Sequence, residues 1–178
     1  MKITTLEIPD LLILEPTIYD DARGYFFESY KAESLDNAGY NINFIQDNQA
    51  KSTRGVLRGL HLQTGEYAQT KLIRALHGEI LDVAVDLRKN SPTYGRSYSI
   101  ILSATNRKQL LIPKGFAHGY AVLSANAEVF YKVDAPYAPR FESGILYNDP
   151  TLNIDWLLHP NEIILSSKDA LLPYFNEL

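Results

Sequence analysis

The stretch "KLIRALHGEILDVAVDLR", residues 71–88, carries two apolar runs separated by "HGE". Aliphatic and β-branched residues fill both runs, and the Gly between them is a turn signal. The spacing therefore predicts strand, turn, strand, a hairpin centred on Gly78. Side chains alternate across a strand. Within "LDVAVDL" this puts Leu81, Val83, Val85 and Leu87 on one face and Asp82, Ala84 and Asp86 on the other.

The same pattern extends in both directions. Downstream, "NSPTYGR" (90–96) is a turn cluster before the strand "SYSIILS" (97–103). "QLLIP" (109–113) then runs into the turn "KGFAHG", and the strands "YAVLS" and "AEVFYKVDAPY" follow. Upstream, "GVLRGLHLQ" (55–63) reads as a strand. Short strands recurring about every ten residues predict a sandwich or a small barrel. Helical periodicity is scarce. It is confined to "YKAESLDNAG" (30–39), closing on Gly39, and to "SSKDALLPYF", with Ser at its start and Pro to end it. The expectation is mainly β: an antiparallel double sheet with short flanking helices. At 178 residues, without repeats or Ser/Gly-rich linkers, the chain reads as a single domain with a sizeable core.

Composition narrows the functional classes. The net charge is −4 and the isoelectric point near 5.5, so no basic footprint is offered to nucleic acid or an anionic membrane. A few local Arg and Lys residues still suffice for a small anionic ligand. There is no cysteine, which excludes disulfides, thiolate metal sites and thiol nucleophiles and suits a cytoplasmic setting. The apolar run in "MKITTLEIPDLLILEP" is broken by Glu7, Pro9 and Asp10, too soon for a signal segment or a spanning helix.

His61 sits between two leucines in "GLHLQ" and admits three readings: a satisfied core histidine, a metal ligand or a catalytic base. A metal needs several converging donors. The next residue on the same strand face is Gln63, and carboxamide is a poor transition-metal ligand. A base needs a proton affinity near working pH, which imidazole has, and gains from a carboxylate that fixes its tautomer. Asp82, Asp86 and Asp169 are all candidate partners, and spacing alone does not choose among them. Tyr131 falls on the same face as Val129 and Val133, where a phenol needs a reason to be. Arg58 lies an odd number of residues from His61, so a regular strand separates the two. A bend at Gly59 would bring them into one cavity.

Together these residues resemble the dTDP-4-dehydrorhamnose 3,5-epimerases, a cupin-fold family. The resemblance is carried by "FIQDNQAKSTRGVLRGLHLQ", "KLIRALHGEILDVAVDLRKNSPTYG", "IPKGFAHGYAVLS", "YKVDAPYAPRFESGILYNDPTLNIDW" and "LSSKD". It implies a cupin-type double-stranded β-helix, a jelly-roll barrel, working without metal or cofactor. It also implies a homodimer whose N-terminal segment, about residues 1–45, reaches across the interface. By motif match His61 resembles the base, Asp169 its dyad partner, Tyr131 the acid on the opposite face and Lys71 the cation near the sugar's 4-keto oxygen. Substrate-binding positions map to Arg23, Phe26, Glu28, Gln46, Asn48, Arg58, Lys71, His118, Glu142 and Lys168, with Asp82 expected to orient His118. Phe26 and Tyr137 are candidates to stack on thymine. The implied activity is epimerisation at C3 and C5 of dTDP-4-dehydro-6-deoxy-D-glucose. A monofunctional epimerase, a 3,4-ketoisomerase and a silent nucleotide-sugar-binding cupin are the alternatives.

Overall fold

The computed structural model describes residues 1–178. Thirteen strands and one short helix follow in the order β1 (Lys2–Thr5), β2 (Leu12–Glu15), β3 (Tyr19–Asp21), β4 (Gly24–Phe26), α1 (Ala32–Asn37), β5 (Gln46–Thr53), β6 (Leu57–Gln63), β7 (Lys71–His77), β8 (Glu79–Asp86), β9 (Ser97–Ser103), β10 (Gln109–Ile112), β11 (Phe116–Val122), β12 (Asn126–Val133) and β13 (Glu142–Gly144). One sheet runs β1-β2-β10-β7-β12-β5, and the facing sheet runs β13-β6-β11-β8-β9. All strand pairs are antiparallel. The chain passes back and forth between the sheets, from β5 to β6 to β7 and again from β10 to β11 to β12. The result is a jelly-roll barrel of the cupin type.

That crossing corrects the reading of residues 71–88. β7 and β8 do not pair with each other. β7 lies between β10 and β12, and β8 lies between β11 and β9 in the other sheet. Gly78 is therefore a corner and not a hairpin tip. Its φ is +71°, and a Cβ there would collide with the Asn126 carbonyl, so only glycine fits. Local sequence specifies a reversal but not the sheet into which the second strand goes.

Alternation in β8 follows the expected parity, and both of its faces are buried. Ile80 and Ala84 join Ile73, Leu110, Ile112, Phe116 and Val129 in the core between the sheets. Leu81, Val83 and Val85 point the other way, into a second cluster closed by Ile145, Trp156 and the C-terminal segment. A third cluster, built on Leu12, Leu14, Leu72 and Leu111, packs against Leu35 of α1 and the flanking Tyr30 and Phe44. Each fully buried aliphatic chain contributes about 1.5–3 kcal/mol. The aspartate-bearing face of β8 thus faces the barrel interior. Asp86 is spent on structure: it accepts hydrogen bonds from Arg88, Ser91 and Thr93. Burial pushes its carboxyl up, but these bonds outweigh it and bring the pKa to about 2.

The predicted helix near residues 30–39 is present as a six-residue α1, ending before Gly39 at φ +88°. The second predicted helix is only a 3₁₀ turn, Asp169–Leu171, cut short by Pro173. "KGFAHG" is also shorter as a turn than expected, because β11 begins at Phe116 and carries His118 within the strand.

One local irregularity shapes the site. The pairing of β6 with β11 shifts register between His118 and Tyr120, and Gly59 opposite has φ +120°. A Cβ on Gly59 would lie 2.5 Å from Gly119 Cα and 2.7 Å from the His118 carbonyl oxygen. Gly59→Ala is expected to cost about 2 kcal/mol or more through strain and this clash. A denaturant titration should show a lower midpoint with an unchanged slope.

Candidate active site

The two sheets enclose a cavity of about 460 Å³. β6 supplies Arg58 and His61, β11 supplies His118 and Tyr120, and all four side chains line one wall. β7 and β12 supply Lys71 and Tyr131 from the facing sheet. Arg58 and His61 thus share the cavity despite their odd spacing, as a bend at Gly59 would allow. The mouth is formed by the C-terminal segment, which brings Ile164, Ser166, Lys168 and Asp169. That segment is fixed by the Ile164 N–H to Gly55 carbonyl and Leu57 N–H to Ile164 carbonyl bonds, which flank the Val56–Ile164 bridge, and by the Leu146 N–H to Pro173 carbonyl bond. Leucines 60 and 62 point to the outer cluster, so strand parity turns His61 inward.

His61 Nε2 lies 2.7 Å from Asp169 Oδ1. Asp169 is buried at 4% exposure, and its other oxygen accepts the Gly59 N–H at 3.4 Å. A proton on Nε2 directed at the carboxylate leaves the Nδ1 lone pair of His61 free, and no group of the chain bonds to it. Of the three candidate partners, then, Asp169 meets His61, Asp82 meets His118 and Asp86 is structural. His118 Nε2 lies 2.7 Å from Asp82 Oδ1, with Asp82 fully buried. Burial holds His118 below its ordinary pKa against the pull of Asp82. It is accordingly a neutral ring that donates to Asp82 and keeps Nδ1 as an acceptor.

The Lys71 ammonium makes no hydrogen bond or ion pair with the chain, although its backbone is held in the sheet between Ile112 and Val133. Burial brings its ammonium down to about 8, opposed by the charges of Asp82 and Glu142. The second oxygen of Asp82 is likewise buried without a partner. Tyr131 is pushed up by burial, with Arg58 pulling the other way, so its phenol stays protonated at neutral pH. Arg58 is steadied by two donations to Ser52 Oγ, at 3.2 and 3.1 Å.

The remaining predicted positions divide in two. Glu142 bonds both Lys168 and the Tyr137 hydroxyl, a cluster beside the mouth. Gln46 and Asn48 lie on β5 and bond each other at 2.8 Å, with Asn48 directly opposite Tyr131 in register. Arg23, Phe26 and Glu28 do not reach the cavity of their own chain. Arg23 is 90% exposed and bonds only Asp21, and Phe26 is 66% exposed. Gln63 also lies outside the cavity. Its amide donates to the Tyr67 and Pro136 carbonyls and accepts the Ala138 N–H. No cluster of three His, Asp or Glu side chains is placed to share an ion. Sequence reasoning passed over Tyr120 and Ser52. The available signal for Tyr120 was its position two residues after His118, on the same strand face.

The arrangement can remove a proton with one wall, return one from the other and stabilise negative charge between them. The chain is similar to known proteins over nearly its whole length. The dTDP-4-dehydrorhamnose 3,5-epimerase family matches residues 5–177. The Escherichia coli K12 enzyme of that name is 48% identical over 179 residues, covering 100% of this chain and 96% of its own. The crystal structure of the same enzyme from Elizabethkingia anophelis superposes with a TM-score of 0.96 at 47% identity, covering 99% and 97% of the two chains. The dTDP-6-deoxy-D-glucose-3,5-epimerase of Legionella pneumophila, solved in complex with dTDP-4-keto-L-rhamnose, gives 0.94 at 47% identity, covering 98% and 93%. By sequence and by fold, the chain belongs to the dTDP-4-dehydrorhamnose 3,5-epimerase family.

Proposed function

We propose that this protein is an isomerase that inverts C3 and C5 of dTDP-4-dehydro-6-deoxy-D-glucose, giving dTDP-4-dehydro-L-rhamnose for dTDP-L-rhamnose biosynthesis. One observation carries the reading: an imidazole–carboxylate pair and a protonated phenol enter the same cavity from opposite sheets. Packed sheets stand about 10 Å apart, which leaves room for a pyranose ring between the two groups. Inversion needs removal and return of a proton on opposite faces, and a single residue cannot readily reach both.

The chemistry starts from the ketone. A carbonyl at C4 acidifies the hydrogens at C3 and C5, because the carbanion formed is an enolate with its charge on O4. His61 Nδ1 takes the proton, and Asp169 holds the tautomer and stabilises the resulting imidazolium. Lys71 faces the developing O4 charge in a water-poor cavity, where a fixed donor is worth about 3 kcal/mol or more. Tyr131 then delivers its hydroxyl proton to C5 from the opposite sheet, and solvent supplies the proton at C3. Between turnovers the imidazolium releases its proton to solvent and the phenolate takes one back. Arg58, Lys168, Gln46 and Asn48 hold the diphosphate and nucleoside, so that remote binding energy keeps the sugar in register.

The active form is a homodimer in the cytoplasm, with Arg23, Phe26 and Glu28 lent to the neighbouring site. The β3–β4 hairpin supports this: it stands apart from both main sheets and leaves Tyr19, Tyr25 and Phe26 exposed. No helix of the chain is long and apolar enough to cross a membrane.

Product analysis tests the activity. Incubation with the 4-keto sugar and NMR of the product should show both C3 and C5 inverted. A 3-keto product would make the protein a ketoisomerase, and inversion at one carbon alone would make it a monofunctional epimerase. Tyr131→Phe should keep proton loss at C3 while lowering completed inversion at C5 by about 10²-fold, the lower range for a lost proton donor. Equal loss at both carbons in that variant would contradict a C5-directed acid.

A further inference from the structure

The Tyr120 hydroxyl, on the cavity wall, has no part in the mechanism above. Tyr120 lines the cavity and is only 5% exposed, yet no group stands in hydrogen-bond geometry to its hydroxyl; the neighbouring Ser52 hydroxyl accepts from Arg58 instead. An orphaned buried hydroxyl is unfavourable, and a ligand that pairs with it recovers that loss on binding.

Its position limits what that ligand group can be. Tyr120 follows His118 by two residues on β11, and their rings lie 6.4 Å apart. In register it faces Arg58 on β6 and Asp82 on β8. Tyr120 therefore adjoins both His118, which we place at the ketone end of the site, and Arg58, at the diphosphate end. It also belongs to the sheet that carries His61, so it cannot serve the opposite face as a second acid.

Between C4 and the diphosphate-bearing C1, the sugar presents hydroxyls at C3 and C2. The C3 hydroxyl changes direction when C3 inverts, and a fixed partner would lose it during the reaction. The C2 hydroxyl keeps its configuration throughout. Resting on the proposed activity, we infer that Tyr120 binds the C2 hydroxyl of the nucleotide sugar and so selects against 2-deoxy sugars. A site that leaves a buried polar group unpaired rejects the analogue lacking its partner.

Calorimetry with unreactive ligands tests this without relying on turnover. Tyr120→Phe removes only the hydroxyl, so its thermal midpoint should equal or exceed that of the wild type. The variant should bind dTDP-glucose about five- to tenfold more weakly, the size of one uncharged hydrogen bond. dTDP alone and dTDP-2-deoxyglucose should bind both proteins within about twofold, since neither offers the C2 hydroxyl. Unchanged dTDP-glucose affinity, an equal loss for dTDP or an equal loss for the 2-deoxy analogue would each overturn the assignment. Failure of the epimerase reading would show separately, as absence of product from the wild-type protein in the NMR assay.

Discussion

Replacing His61 with asparagine is expected to abolish proton exchange at C3 and C5 alike and to lower kcat by at least ~10³-fold. The size follows from the role. The hydrogens of a ketone-activated carbon are weak acids, and Nδ1 of His61 is the only unoccupied basic nitrogen on its wall that is backed by a carboxylate at the cavity mouth. His118 cannot substitute, because burial lowers its basicity and its Nε2 is committed to Asp82. A 10³-fold loss corresponds to about 4 kcal/mol of transition-state stabilisation. Circular dichroism and the thermal midpoint should stay near wild type, since His61 is partly exposed and its neighbours Leu60 and Leu62 carry the packing. Retention of a tenth or more of the activity would remove His61 from the role of base.

Lys71→Met should lower kcat by about 10²–10³-fold, the usual cost of losing one fixed oxyanion donor. The pH profile adds a signature that a packing defect would not give. Burial brings the Lys71 ammonium to about 8. In the wild type the cation is present below that pH and is lost as pH rises through it. Catalysis should therefore decline on the alkaline side near pH 8, and this limb should vanish in the methionine variant, leaving a low, flatter profile. An unchanged alkaline limb in the variant would assign it to another group.

Much of the barrel could be read from local pattern because alternation is a short-range property. The parity of residues 81–87 is observed, and the strand at 97–103 coincides with β9. What local pattern did not reveal is where a strand goes. Gly78 looks the same in sequence whether the chain folds back beside itself or turns into the opposite sheet, and only the packing of Ile80 and Ala84 against β7, β10 and β12 decides it. β5 escaped notice for a different reason. Its residues "QDNQAKST" are polar and mostly exposed, so it carries no apolar period to detect. The 3₁₀ turn at Asp169 had a helix-like composition, but the backbone bond from Leu146 to Pro173 takes the chain out of the turn.

The site was legible where its residues sit in distinctive short motifs and illegible where roles depend on three-dimensional pairing. Spacing left Asp82, Asp86 and Asp169 equivalent. The register of β11 with β8 places Asp82 opposite Tyr120, within reach of His118, and the C-terminal segment carries Asp169 to His61 from 108 residues away. Tyr120 carries no signal in the sequence beyond its spacing from His118, because a tyrosine in a strand is ordinary until its hydroxyl proves to be buried on a cavity wall without a partner. Arg23, Phe26 and Glu28 can meet a substrate only across an interface, which strand periodicity does not encode.

The most direct measurement is turnover of the 4-keto sugar in heavy water, with the product's C3 and C5 positions read by NMR at early conversion. Abstraction on one face and delivery on the other predicts solvent deuterium at each inverted carbon. Inverted product that retains its original hydrogen at both carbons would mean that one group carries the same proton across, contradicting a base and an acid on opposing sheets.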